Sequence, residues 1–97
     1  MREEQFRTYL ETSDKITSKE KAVRTRISRC NAVEEILGES LDSIVSEDKR
    51  MYEALVKLNT SPKERNGNLQ NALRWYYQFV NDKKFPQIST YEKQNRI

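Results

Sequence analysis

The stretch "NLQNALRWYYQFV", residues 68–80, limits the possible folds of this chain more than any other. At 100° per residue, Leu69, Ala72, Leu73, Tyr76, Phe79 and Val80 fall together, with Trp75 and Tyr77 on their flanks. Their side chains sweep roughly 200° of a helix, too wide for one neighbour to cover. Such a helix has to be the central element, with others packed on at least two of its sides. The spacing predicts it over residues 68–81.

Suitable partners are visible upstream. Val23, Ile27, Cys30, Val33 and Leu37 form a narrow apolar stripe at helical spacing. Thr17 followed by Glu20 matches a capping box before that stripe, and Gly38 follows it where a left-handed C′ residue belongs. A shorter helix is expected over residues 2–12, carrying Phe6, Tyr9 and Leu10 and a Glu3/Arg7 pair at i,i+4. Leu41, Ile44 and Val45 predict one helical turn begun by Ser40. Ser46 is the expected cap of a third main helix over 47–58, whose face is Met51, Ala54, Leu55 and Leu58. "NTSPKERNGN" (59–68) reads as a loop. Phe85–Pro86 marks a stop, since proline disfavours helix in the residue before it. The polar residues 87–97 are expected to be a flexible tail or linker stub.

Two glycines and two prolines in 97 residues leave too little punctuation for an all-β fold. The expected architecture is therefore all-α: a compact bundle of four main helices plus a short helical turn, a domain over 1–86 with a tail over 87–97. Histidine is absent and there is one cysteine, which removes imidazole chemistry, a cysteine zinc site and an internal disulfide. No Walker loop or dinucleotide fingerprint occurs, and adjacent acids such as Glu34/Glu35 diverge around a helix axis. Catalysis is not expected, and no cofactor is implied. With no apolar run of membrane-spanning length and no signal-peptide core, the chain is expected in the cytoplasm and away from membranes.

The net charge of +3 conceals blocks of opposite sign. Residues 15–29 hold six basic groups against Glu20 alone, whereas residues 34–53 hold seven acids against Lys49 and Arg50. Lys15, Lys19 and Lys21 load the start of the second helix, where cations oppose the helix dipole, so a use other than stability is indicated. On the wheel, Lys21, Arg24 and Ser28 point away from the apolar stripe, with Thr25 beside them. Arg26 lies near the stripe and is expected either to snorkel or to pair with a carboxylate, such as one from 34–53. A second basic and polar cluster comprises Lys63, Arg65, Asn66, Asn68 and Arg74, followed by Lys83 and Lys84. These groups suit phosphates and base edges of double-stranded DNA, provided the fold brings the two clusters to one side. The alternative is a small protein-interaction module, a phage-type inhibitor or adaptor, that meets a basic partner through the acidic 34–53 segment.

"TSKEKAVRTRISRCNAVEEILG", then "NLQNALRWYYQFV" and "NDKKFPQI", resembles the N-terminal SAM-like, or core-binding, domain of phage integrases and other tyrosine recombinases. The likeness spans about residues 2–88. It implies a helical bundle that grips one face of duplex DNA in recombination and integration. Carried over by position, it implicates Lys19, Lys21, Arg24, Thr25 and Ser28, with Asn66, Asn68 and Arg74 from the second cluster. The chain departs from the family in two respects: it holds no catalytic domain with a tyrosine nucleophile, and Phe85–Pro86 stands where many members have Asn-Pro.

Overall fold

A computed structural model describes residues 1–13 and 19–96, with Lys19 described in its backbone only. Among these residues there are six helices and no strand, so the fold is the expected all-α bundle. The helices are α1 (Glu3–Glu11), α2 (Lys19–Leu37), α3 (Leu41–Val45), α4 (Asp48–Asn59), α5 (Asn68–Asn81) and α6 (Ile88–Asn95). None is long and apolar enough to cross a membrane. The capping box expected at Thr17 lies outside the described residues, as do Lys15 and Ile97.

Helix α5 is the hub. It packs on α1, α2, α3 and α4, and Leu73, Tyr76 and Tyr77 on it are essentially removed from solvent. The α2 stripe closes over one side, with Val23, Cys30 and Val33 buried. Phe6 of α1 meets the Tyr76 ring edge-on at 5.0 Å. Burying two tyrosines is costly unless their hydroxyls are answered, and both are. The Tyr76 hydroxyl donates to Asp42 Oδ1 at 2.5 Å and accepts from the Arg2 amide at 2.8 Å. Tyr77 donates to Asp48 Oδ1 at 2.7 Å. Asn81 adds a bond from its side-chain amide to the Val45 carbonyl at 3.1 Å. These bonds pin α5 to α1, α3 and α4 at defined points.

Helix ends follow local chemistry. Gly38 adopts φ +68° and returns its N–H to the Glu34 carbonyl, which ends α2 as the sequence predicts. Ser40 caps α3 by accepting the Ser43 amide. Ser46 does not cap α4. Its hydroxyl donates instead to the Ser43 carbonyl, closing α3, and Glu47 takes the N-cap position without a side-chain bond.

The largest departure from expectation is at the C-terminus. Residues 87–97 do not begin a tail after residue 86: α6 extends the ordered helical domain to Asn95 and packs on α4. Three aromatic rings hold it there. Tyr91 stacks on Phe85 at 5.3 Å and on Tyr52 at 4.9 Å, and Tyr52 donates to Glu92 at 2.6 Å. The segment has too few apolar residues to announce itself, and one tyrosine anchors it. Replacing Tyr91 with Ala should cost about 3 kcal/mol in urea unfolding, the range for a buried aromatic. A loss under about 0.5 kcal/mol, typical of surface sites, would instead restore the dispensable tail.

Candidate nucleic-acid interface

Two contacts set the register of α2 against α5. Cys30 Sγ donates to the Ala72 carbonyl at 3.5 Å, and the Arg26 guanidinium lies over the Trp75 ring, 4.8 Å from its centroid. Moving back along α2 thus moves forward along α5, so the helices are antiparallel. The start of α2 lies beside the end of α5. At 1.5 Å per residue, Lys21 and Arg24 sit roughly 15–20 Å along the axis from Asn68. The Lys63–Asn68 part of the second cluster therefore lies at the opposite end of the α2–α5 pair from Lys21 and Arg24, whereas Arg74, Lys83 and Lys84 fall toward the start of α2.

The predicted residues also differ in facing. With the Val23–Cys30 stripe turned to α5, the wheel places Lys21, Arg24 and Ser28 on the outer pole of α2, and all three are exposed. Arg24 is 73% exposed and lies 3.6 Å from Glu20, itself 92% exposed, an i,i+4 pair of small energetic weight. Arg26 and Arg29 occupy the flank adjoining α5, Thr25 lies beyond them toward the outer pole, and all three are half-buried. On α5 the matching flank carries Trp75, Asn71 and Gln78, with Arg74 at its far margin. Lys83 and Lys84 follow at the same end of the pair. Of the ten residues picked out by sequence, Arg74 belongs to this shared face. The Lys19 side chain lies outside the described residues.

Arg26 finds no carboxylate. Its Nε is buried without a hydrogen-bond partner, and its charge is met by the π-face of Trp75. Burial, and secondarily the neighbouring Arg29, pull its pKa below the usual arginine value. Arg74 is partly committed to the fold. One terminal nitrogen donates to the carbonyls of Phe85 (2.9 Å) and Pro86 (3.1 Å), tying the α5–α6 connection to α5. Burial lowers its pKa as well.

The loop before α5 behaves differently from expectation. Lys63, Arg65 and Asn66 lie near the head of α5, and Asn66 has φ +55°, a left-handed conformation that asparagine tolerates. The free amides at the head of α5, which would otherwise suit a phosphate, are already taken. Glu64 accepts from the amides of Leu69 (2.9 Å) and Gln70 (3.0 Å), and from that of Arg65 (2.9 Å). An internal anion thus fills the site beside Asn66 and Asn68, which removes the physical basis for phosphate capture there.

Acidic residues gather on the other side of the molecule. Glu34 accepts from the Met1 ammonium (3.2 Å) and the Leu41 amide (2.9 Å). Asp42 meets Arg2 and Tyr76, Asp48 meets Tyr77, and Glu39 meets Arg50 at 3.1 Å. Four of the seven acids in 34–53 are therefore engaged within the chain.

No protein-family model, curated protein or solved structure matches this chain.

Two carboxylates predict the acid response. Partial burial works against the charge of Asp42, but bonds from Tyr76 and Arg2 prevail and hold its pKa below the usual value. Glu64 is likewise lowered, its burial outweighed by the Leu69, Gln70 and Arg65 donors. Such groups stabilise the fold fully above their unfolded pKa, near about 4, and lose that contribution as pH falls through the folded value. The urea midpoint should stay level from pH 7 to about 5 and drop below about 4. Glu64→Ala should lower stability at neutral pH by about 1 kcal/mol, the usual worth of a helix-capping side chain, and should flatten part of the acid fall. An unchanged midpoint in that variant would show that the α5 amides do not need the carboxylate.

Proposed function

We propose that this chain is a non-catalytic DNA-binding helical domain that docks on duplex DNA through the shared face of α2 and α5. The observation that carries the proposal is the charge of that face. Helix α5 contains no acidic residue, and among the described residues Arg26, Arg29, Arg74 and Lys84 have no carboxylate within ion-pair distance. Their charge is not neutralised at close range, which leaves it available to an external polyanion. Asn71 and Gln78 add neutral hydrogen-bonding groups suited to phosphates and base edges. The resemblance to integrase core-binding domains supports the same reading, with the centre of the interface moved from Lys21 and Arg24 toward Arg26 and Arg29. The rival, docking of a basic protein on 34–53, is weakened because most of that segment's carboxylates are engaged internally.

Phosphate neutralisation by about four cations should give log affinity a slope near −3.6 against log salt. Fluorescence anisotropy with a 20-base-pair duplex at low salt should register Arg29→Glu as a loss of at least about tenfold, because a phosphate attraction gives way to a repulsion. Lys63→Glu, at the far end, should change affinity much less. Absence of duplex binding at ~100 μM protein, weaker than ordinary non-specific binding, overturns the function. Equal losses in the two variants overturn the face.

A further inference from the structure

At one margin of the duplex-binding face, with which it shares Asn71, Arg74, Trp75, Gln78 and Lys84, the bend from α5 into α6 encloses a groove of about 230 Å³. Its lining comprises Asn71, Arg74, Trp75 and Gln78 from α5, with Lys84, Phe85 and Gln87 from the connection. The chemistry of that set is unusual for this chain. It holds two cations and three carboxamides and no carboxylate. Gln78 lies close to the Tyr9 hydroxyl, whereas the side chains of Asn71 and Gln87 have no protein partner among the described residues. Gln87 occupies the N-cap of α6 yet its side chain makes no capping bond, so it is available to a ligand. Two aromatic side chains, Trp75 and Phe85, form part of the wall, and both are fixed. Trp75 lies between Arg26 and Tyr9, and Phe85 between Tyr77 and Tyr91. Arg74 spends one nitrogen on the Phe85 and Pro86 carbonyls, which holds the groove in shape and orients the guanidinium.

We infer that this groove binds one adenylate unit, its phosphate on Lys84 and Arg74 and its base edge on the carboxamides. A carboxamide presents a donor and an acceptor side by side, which matches the N6 and N7 edge of adenine. Cations placed beside such a group, with no carboxylate to compete, select for an attached phosphate. At about 230 Å³ the groove is smaller than the roughly 300–1,000 Å³ of ordinary ligand pockets, so it takes no more than one nucleotide. The adenylate could be a free mononucleotide or an unpaired nucleotide carried by a DNA strand, and the two sources share this chemistry.

Trp75 is the chain's one tryptophan and lines the groove, so its fluorescence reads occupancy directly. Titration with AMP should change that emission saturably at submillimolar concentration, and inorganic phosphate should compete at least about tenfold more weakly, because it lacks the base contacts. Gln87→Ala and Lys84→Gln alter exposed side chains and should each weaken AMP. Gln87→Ala should leave affinity for a blunt duplex unchanged, which separates this site from the duplex-binding face. Saturation by a short oligoadenylate but not by AMP assigns the strand-borne source and supports the site. No response to either probe, or phosphate competing as well as AMP, overturns it.

Discussion

Two buried tyrosine hydroxyls on α5 are the constraint on which the rest of the structure depends. Tyr76 and Tyr77 are adjacent, so their side chains leave the helix about 100° apart and reach different neighbours. Each needs a hydrogen-bond partner once removed from water, and each finds a carboxylate: Asp42 on α3 for Tyr76, Asp48 on α4 for Tyr77. Dispersion and apolar burial would hold several arrangements of these helices together. The two oriented bonds favour one, because a rotation of α5 leaves a phenol and a carboxylate unanswered in the same step. Burial raises the Tyr76 pKa to about 12, so the hydroxyl keeps its proton and its role as donor across the physiological range.

The same arrangement sorts charge. The carboxylates of Asp42 and Asp48 are drawn to the side where α5 meets α3 and α4, and Glu34 joins them by accepting from Met1 and Leu41. The opposite flank of α5 has no acid of its own, and α2 contributes Arg26 and Arg29 to it. Segregation of this kind requires no extra element: it follows from placing negative charge on buried tyrosines and helix ends. The basic face is what remains, and its potential is undiminished by ion pairing.

Much of the fold was legible because it rests on local periodicity. The 200° apolar sweep predicted a central helix over 68–81 and α5 occupies that span; the stripe ending at Gly38 predicted the end of α2. The failures share a cause. Ser46 lies between two helices and its hydroxyl serves the one behind it, a choice decided by which backbone group is nearer in space. Helix α6 carries Ile88 and Tyr91 in a polar run, too little for a periodic signal, and exists because Phe85 and Tyr52 offer rings to stack on. Arg74 looked like a surface cation and is in part a clamp on the Phe85 and Pro86 carbonyls. Glu64, which took no role in the sequence, holds the head of α5.

By itself, then, the sequence determined which segments become helices and which residues on them turn inward, since both depend on spacing along one chain. It also determined the chemistry excluded for want of histidine and of a second cysteine. Only the tertiary structure decided which charges act together. The antiparallel set of α2 on α5 parts Lys63, Arg65, Asn66 and Asn68 from Lys21 and Arg24, and unites Arg26 and Arg29 with Trp75, Arg74 and Lys84. The physical reason is that periodicity gives each helix a face but says nothing about the direction in which its neighbour runs. Reversing one partner would exchange the ends at which the cations meet.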